Sequence, residues 1–246
     1  MRLFKYEKLT KYTKENIANS QFYYNQPRKF NDPYEGVFKF NISNNFLKKK
    51  LIKVLYDKEY SKEKFSGLSL DEVVTEATIS YINQYLTDMR VACFSRRNDS
   101  MLMWSHYSDQ HRGICLEFES DDNLFKIGDD VKYSRKVPVV YISDVNDLEE
   151  NRLLALFNSV VHTKEMDWSY EKEYRLIAYK GENIRKYNPK ALKAVYFGLR
   201  CSAEDIQETM KIINRNDVKY YNCDIQREYY KFRFLRLKNL SNPAIT

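Results

Sequence analysis

The sequence predicts an α+β fold in which short strands form mixed or antiparallel sheets with flanking helices. Short apolar runs bounded by polar turns recur through the chain, and this pattern favours buried strands. Helix-spaced apolar positions lie between the runs without a regular strand–helix alternation, which argues against a parallel α/β sheet. A length of 246 residues with 43% hydrophobic residues suits a single domain, 1–246, with a substantial core.

The strands and helices follow in chain order from these two patterns. The predicted strands cover residues 3–6, 21–24, 90–95, 113–118, 130–133, 137–142, 174–179, 192–197, 219–223 and 229–237. The predicted helices cover residues 14–19, 41–87, 147–163 and 202–214.

The helical region at about 41–87 is predicted to be an insertion that packs against the sheet. Apolar residues there recur at helical spacing. A second helix of the region begins at Ser69, where Glu72 completes a capping-box pattern. Few side chains in the region offer chemistry, so we expect the functional site elsewhere.

The formal net charge of +7 favours polyanionic partners such as nucleic acid. The four cysteines form no CxxC pair, and three lie in apolar runs, which is typical of buried thiols in a reducing compartment. The N-terminus has no long apolar stretch, and no segment approaches the roughly twenty apolar residues of a membrane span. We therefore expect a cytoplasmic protein without a membrane partner, and the sequence leaves its oligomeric state open.

The stretch 91–118 concentrates the residues most capable of chemistry. It holds two of the chain's three histidines and one of its two tryptophans. Within it, a short helix carries Trp104, His106 and Tyr107. A histidine beside a tryptophan is more often a hydrogen-bonded core residue than a catalyst, so both interpretations of His106 stay open.

A second polar cluster lies in the segment Trp168-Ser169-Tyr170-Glu171-Lys172-Glu173-Tyr174-Arg175. A strand is predicted to begin near Glu171, and strand alternation then places Glu171, Glu173 and Arg175 on one face. Two carboxylates about 7 Å apart beside an arginine make a candidate polar site. The alternative is an exposed edge on which Glu173 pairs with Arg175.

Metal and nucleotide motifs are absent from the sequence. It contains no HExxH, no CxxC and no acidic triplet with standard ligand spacing, so no metal is expected. GxGxxG and GxxxxGK[ST] are also missing, which argues against a Rossmann or P-loop site. Scattered carboxylates, such as Glu117 and Glu119, would assemble a magnesium site only through the fold.

Three longer motifs together resemble a bacterial family. They are FNDPYE at 30–35, CFSRRNDSMLMWSHYSDQHRGICLEF at 93–118 and WSYEKEYRLI at 168–177. With LFKY at 3–6, they resemble domain-of-unknown-function family 2971, whose members begin with an LxKY-like strand. The resemblance covers nearly the whole chain except about 41–87, and the family's name assigns no activity.

The order of three elements also resembles that of ADP-ribosyltransferases, including the type that modifies DNA. Those enzymes use an early basic or histidine residue for NAD, an aromatic-Ser motif that braces the nicotinamide pocket, and a late ExE or QxE glutamate. This chain offers Arg2 or Lys5, then Phe94-Ser95, then Glu171-Lys172-Glu173. It departs from the family at Phe94-Ser95-Arg96, where a Ser-Thr-Ser string is usual.

This second resemblance implies that NAD is the substrate. It implies that Glu173 stabilises the positive charge that develops on the ribose, that Glu171 orients the acceptor and that Ser95 completes the catalytic set. The implied cofactor-binding residues are Arg2, Lys5, Tyr6, Phe94, Trp104, His106, Tyr107 and Arg175.

Three functional hypotheses follow. The first is an NAD-dependent ADP-ribosyltransferase-like protein that modifies a nucleic-acid or protein acceptor, in a toxin or phage-defence setting. The second is a non-enzymatic module whose aromatic-rich basic surface binds nucleic acid or a protein partner. The third is a metal-dependent nuclease that uses the scattered carboxylates.

Overall fold

A computed structural model of the chain describes residues 1–55, 67–119, 123–179 and 181–237. Its strands are β1 (Arg2–Glu7), β2 (Gln21–Tyr23), β3 (Lys39–Ile42), β4 (Met89–Ser95), β5 (Ile114–Glu119), β6 (Asp129–Asp130), β7 (Lys132–Ser134), β8 (Val139–Ile142), β9 (Thr163–Glu165), β10 (Glu173–Tyr179), β11 (Ile184–Lys186), β12 (Leu192–Phe197), β13 (Lys219–Ile225) and β14 (Phe232–Leu237).

The described α-helices have at most twelve residues, apart from the 19-residue helix before β4. They are α1 (Lys11–Ala18), α2 (Asn45–Leu55), α3 (Leu70–Asp88), α4 (Met101–Tyr107), α5 (Asn123–Lys126), α6 (Glu150–Val161) and α7 (Ala203–Ile213). Short 3₁₀ turns occur at Pro27–Lys29, Val145–Leu148, Met166–Glu171 and Pro189–Ala191.

Eight of the described strands form one sheet, in the order β14-β13-β12-β5-β1-β4-β10-β6. Neighbouring strands in it are antiparallel except β12 and β13, which run parallel. Smaller pairs join β11 to β2, β3 to β8 and β7 to β9. This mixed, mostly antiparallel sheet with flanking helices confirms the predicted α+β class.

Helices α1 and α7 cover one face of the sheet, which we call the α1 face. Ile17 of α1 and Met210 of α7 share a buried cluster with Leu3, Phe118 and Leu176 of the sheet. These strand residues alternate with the residues that point to the other side, as the pleat requires. The apolar runs of the central strands are therefore buried on this face.

Helix α4 packs on the opposite face, which we call the α4 face. Trp104 is fully buried there, and its ring meets that of Tyr6 edge-on at 5.3 Å between centroids. Phe4 belongs to the same cluster. A neighbouring cluster packs α3 and α6 against β4, with Val91 and Phe157 among its members.

The region at 41–87, predicted to be helical, contains α2 and α3 in its described part, whereas residues 56–66 of the prediction lie outside the described residues. Its first two residues instead end β3, which pairs with β8. The predicted capping box is confirmed: Ser69 accepts from the Glu72 amide, and the Glu72 carboxylate accepts from the Ser69 amide. Whether the region is an insertion in a single domain stays a prediction.

One predicted strand boundary was wrong in a way that matters for the site. The strand expected to begin near Glu171 begins at Glu173, because Met166–Glu171 is a 3₁₀ turn. Lys172 follows in the left-handed region, with φ 45° and ψ 53°. The two carboxylates are therefore joined by a bend and do not alternate along a strand.

Candidate active site

Two of the three residues predicted for catalysis, Ser95 and Glu173, lie on neighbouring strands of the sheet, whereas Glu171 ends the 3₁₀ turn before β10. Ser95 of β4 is paired with Glu173 of β10 on one side and with Phe4 of β1 on the other. Residues paired across antiparallel strands share a face. The three side chains therefore form one row on the α4 face.

The three sequence motifs meet at this row through side-chain contacts. The Tyr107 hydroxyl donates to Oε1 of Glu171 at 2.5 Å and accepts from the Asn31 amide at 3.1 Å. Glu35 accepts two bonds from Arg175, at 2.5 and 2.9 Å. FNDPYE, MWSHY and YEKEYR thus form one polar cluster.

Lys164 lies at the centre of this cluster, and the sequence had not singled it out. Its ammonium donates to Oε2 of Glu171 at 2.6 Å and to Oε2 of Glu173 at 3.3 Å. The same ammonium lies 4.6 Å from the ring centroid of Trp168. Lys164 is buried, so its single positive charge is shared by two carboxylates in a region that water does not reach.

The environments of the two carboxylates move their pKa values in opposite directions. Burial raises the pKa of Glu171, and the neighbouring charge of Glu173 raises it further, against the opposing effects of Lys164 and Tyr107. Burial alone would also raise the pKa of Glu173, but the charges of Arg175 and Lys164 outweigh it and lower the pKa to about 2. Adjacent acids whose environments move their pKa values apart are candidates for different proton-transfer roles.

Arg175 holds Glu173 in place from the interior. Its Nε donates to Oε1 of Glu173 at 2.8 Å and its Nη2 to Oε2 at 3.1 Å, while Nη1 also donates to the Val161 carbonyl. The side chain has no exposed surface. Arg175, predicted to bind cofactor, therefore has its donors engaged by the protein.

Ser95 hydrogen-bonds to the backbone of the YEKEYR motif. Its Oγ donates to the Glu171 carbonyl at 2.5 Å and accepts from the Arg97 amide at 3.2 Å. The Arg96 amide donates to the Lys172 carbonyl at 2.8 Å. These bonds fix the bend between the two carboxylates against the end of β4.

Sequence comparison locates the recognisable part of the chain. Residues 103–176 match the family model described as Protein of unknown function (DUF2971). No curated protein and no solved structure matches the chain. The DUF2971 match includes Tyr107, Lys164, Glu171 and Glu173, and it supports the predicted domain-of-unknown-function family.

Other predicted site residues in the DUF2971-matched stretch have different surroundings. Trp104 is buried and donates from Nε1 to the Asn98 carbonyl at 2.8 Å. His106 is exposed, and its Nδ1 lies 3.1 Å from the Tyr170 hydroxyl. Tyr107 and Tyr170 are half-buried beside it. The two tyrosines and His106 therefore border the carboxylates toward solvent.

The residues predicted on the early strands are divided between the two faces. Tyr6 lies on the α4 face and donates to the Arg97 carbonyl at 3.0 Å. Arg2 is largely exposed and pairs with Glu117 at 3.2 Å. Lys5 alternates with both residues and lies on the α1 face, with its ammonium 3.0 Å from Glu7.

Phe94 also lies on the α1 face, where its ring packs edge-on against Phe22. Lys5 is 5.5 Å from the Phe94 ring centroid. The sheet itself therefore separates Lys5 and Phe94 from Ser95 and Glu173. Successive residues of a strand point to opposite faces of the sheet. Lys5 and Tyr6, or Phe94 and Ser95, therefore cannot lie on the same face.

Within the described residues, no group of three or more His, Cys, Asp or Glu side chains is arranged to hold a metal ion. No helix in the same part of the chain is long and apolar enough to cross a membrane.

Proposed function

We propose that the chain is an ADP-ribosyltransferase-like enzyme that takes NAD as a substrate and transfers ADP-ribose to a macromolecule. The observation that carries the proposal is the pair Glu171 and Glu173, which share the Lys164 ammonium but have pKa values moved apart. Glu173 is paired with Ser95 across β4 and β10, and Glu171 ends the 3₁₀ turn just before β10, which supports the proposal.

The proposed reaction needs one anion and one proton acceptor. The bond between the ribose and nicotinamide breaks, and its electron pair leaves with nicotinamide. The acceptor nucleophile forms the new bond to the same ribose carbon, and its proton passes to a carboxylate. Positive charge on the ribose is stabilised by a preorganised negative group.

Glu173 and Glu171 suit these two roles. Glu173 stays ionised at neutral pH because Arg175 and Lys164 hold its pKa near 2. Its oxygens are engaged, so it acts through the field of the cluster. The raised pKa of Glu171 suits a group that accepts the acceptor's proton. Glu171 is also the carboxylate that Tyr107 connects to the half-buried rim.

The rim offers donors and rings that suit the substrate. Asn31 and His106 are exposed, whereas Tyr107, Trp168 and Tyr170 are half-buried beside the carboxylates. Flat rings stack on nicotinamide or adenine, and amide and imidazole groups hydrogen-bond to ribose hydroxyls. These residues would hold NAD, which supplies the reactive glycosidic bond.

A toxin or phage-defence setting suits an enzyme that consumes NAD and modifies a macromolecule. A reducing, cytoplasmic location is proposed with it. Free cysteines support that location, since Cys115 and Cys223 are buried and unbridged.

Release of nicotinamide from NAD tests the proposal directly. Purified protein is incubated with NAD and with nucleic-acid or protein acceptors, and free nicotinamide is measured by chromatography. Glu171→Gln and Glu173→Gln should each lower the rate by about a hundredfold or more, the usual worth of acid–base groups. Glu119→Gln is the matched control, because Glu119 is exposed at the end of β5.

A folding defect is distinguished from a lost catalytic group by circular dichroism and by NAD binding. Both variants should keep the wild-type spectrum at 20 °C and bind NAD, although they cleave it slowly. Absence of nicotinamide release by the wild-type protein with every acceptor class would overturn the proposal, whether or not NAD binds.

A further inference from the structure

The hairpin of β13 and β14 lies at the far end of the sheet from the carboxylates. We call residues 219–237 the aromatic-basic hairpin. Its residues Lys219, Tyr221, Phe234 and Arg236 point to the α4 face, because Tyr221 is paired with Tyr196 and with Arg236. The hairpin residues and the candidate active site therefore lie on the same face of the sheet.

One row of paired residues connects the two. The row crosses six strands through Lys219, Ala194, Glu117, Phe4, Ser95 and Glu173. Adjacent strands are about 4.8 Å apart, so the row is about 24 Å long. The residues of the row from Ala194 to Glu173 are themselves buried, so a linear polymer bound at the hairpin would have to span this distance over the elements that cover the row.

Aromatic rings form the middle of the hairpin surface. Tyr221 stacks on Tyr196 with centroids 4.9 Å apart and planes 11° apart, and Phe234 meets Tyr196 edge-on at 4.8 Å. Tyr221 and Phe234 remain half-buried. Their positions are fixed by packing, which lowers the entropy cost of stacking a ligand on them.

The loop of the hairpin adds two tyrosines that the fold leaves uncovered. Tyr229 is 64% exposed and Tyr230 is 96% exposed. Burial of a tyrosine ring normally stabilises a fold, so these rings contribute little to the stability of this one. Exposed aromatic rings beside cations are typical of surfaces that stack unpaired bases.

The charge of the hairpin is unbalanced after its internal ion pairs are formed. Arg233 pairs with Asp224, and the preceding Arg215 pairs with Asp217. Within the described part of the chain, the hairpin's remaining cations have no ion pair: Lys219, Arg227, Lys231 and Arg236. Glu228 is the acid left in this segment, so a net positive surface surrounds the rings.

We infer that the aromatic-basic hairpin binds single-stranded nucleic acid. Phosphates meet the unpaired cations, and bases stack on the tyrosine and phenylalanine rings. A duplex would keep its bases stacked on each other and leave the rings unused. An acidic peptide would meet the cations but offers no flat faces for the rings.

This inference also names the acceptor of the proposed reaction. The acceptor role rests on the proposed function, whereas binding at the hairpin does not. A strand bound at the hairpin would have to span about 24 Å before one of its nucleotides could reach the rim beside Glu171. Binding and nicotinamide release are therefore measured separately.

Fluorescence anisotropy with a labelled 12-nucleotide oligothymidylate measures the binding. Tyr230→Ala should weaken it by about tenfold, within the range for one stacked base. Lys219→Ala should weaken it and lower the slope of log affinity against log salt by about 0.7, the value for one phosphate contact on a single strand. Both positions are exposed, so the variants should fold.

Matched controls lie on the helices of the α1 face. Tyr12→Ala replaces a 75% exposed tyrosine on α1, and Lys211→Ala replaces an exposed lysine on α7. Neither change should alter affinity by more than about twofold. Equal losses in the controls and the hairpin variants would overturn the inference, because net charge alone would then explain binding.

Further results decide between possible partners and between the two proposals. Tighter binding of a duplex than of the single strand, or full competition by polyglutamate, would also overturn the inference. Glu171→Gln should bind the oligonucleotide as tightly as the wild-type protein. Nicotinamide release without oligonucleotide binding would refute the hairpin alone, and binding without release would refute the transferase proposal alone.

Discussion

The Tyr107 hydroxyl donates to Oε1 of Glu171 at 2.5 Å. This bond connects the helix that carries the MWSHY motif to a carboxylate of the YEKEYR motif. Tyr107 comes from α4, which lies on the sheet face. Glu171 ends a 3₁₀ turn that Ser95 anchors. Packing of α4 on the sheet therefore contributes to the pKa of Glu171, alongside burial, Lys164 and Glu173.

Replacing Tyr107 with phenylalanine should raise the pKa of Glu171 further, because the lost hydrogen bond stabilises the ionised form. If Glu171 accepts a proton in the reaction, the acid limb of the pH–rate profile of nicotinamide release should move to higher pH. The free energy of unfolding should fall by about 2 kcal/mol, as for a hydrogen bond to a charged group.

Tyr170→Phe is the control for this prediction, because that hydroxyl contacts exposed His106 and not a carboxylate. The substitution keeps the Tyr170 ring at the rim, so the acid limb of its pH–rate profile should stay at the wild-type pH even if the rate itself changes. An unchanged acid limb in Tyr107→Phe would refute the proposed role of Glu171.

The acid stability of the protein should depend on Glu173. Its folded-state pKa of about 2 lies below the ordinary 4.5, so its contribution is present above pH 4.5 and is lost as pH falls toward 2. This difference corresponds to about 3 kcal/mol of unfolding free energy at neutral pH. Glu171 has the opposite effect on stability. Because its pKa is raised, its ionised form destabilises the fold at neutral pH, and this destabilisation is lost in acid.

Urea unfolding of wild-type protein and Glu173→Gln at pH 7, 5, 4 and 3 measures this dependence. The variant should be less stable by about 3 kcal/mol at pH 7, and the gap should narrow below pH 5. A gap that stays constant down to pH 3 would contradict the depressed pKa.

Arg175→Leu should be among the most destabilising substitutions in the chain. The change leaves Glu35 and Glu173 buried without their guanidinium partner, which costs about 3–5 kcal/mol. Adding Glu35→Gln removes one uncompensated charge and should recover part of the loss. Arg233→Leu breaks an exposed pair with Asp224 and should cost less than about 1 kcal/mol.

Chemical denaturation of these three variants gives the comparison. Equal losses for Arg175→Leu and Arg233→Leu would show that the buried cluster does not hold the fold together.

Replacing either of two glycines with alanine should destabilise the fold, because a backbone carbonyl lies where the new Cβ would be. A Cβ at Gly198 would lie 2.2 Å from the His111 carbonyl oxygen, and one at Gly113 would lie 2.2 Å from that of Glu7. His111 is the last of three consecutive residues with positive φ, so its turn has little room to shift.

Either glycine-to-alanine change should therefore cost more than about 2 kcal/mol. Gly181→Ala, where a Cβ meets the end of the Arg185 side chain, is the tolerated control. Thermal unfolding of the three variants measures the difference, and similar melting temperatures would disprove the close approach.

Periodicity predicted the central strands because they are buried in the sheet. Runs such as Val91-Ala92-Cys93-Phe94 and Ile114-Cys115-Leu116 leave little alternative to a core strand. The capping pattern of Ser202 and Asp205 predicted the start of α7, and the Ser202 side chain caps that helix. Signals of these kinds act within a few residues and are visible in one sequence.

The polar cluster could be predicted only in part, because its contacts are long-range. Glu35 and Arg175 are 140 residues apart, and Asn31 and Tyr107 are 76 apart. Lys164 resembles any other lysine in the sequence, since its burial depends on α6, β9 and the following turn. The left-handed Lys172 carries no glycine or asparagine signal, so the bend at Glu171 was missed.

The strand order of the central sheet means that the recognisable stretch is not the folding unit. Residues 103–176 contribute β5 and the first half of β10, but β1 and β4 lie between these strands in the sheet. A fragment of that stretch alone would have to leave a gap of about 14 Å between its two main strands. Its family resemblance therefore marks where chemistry is concentrated, while cooperative folding requires the segments on both sides.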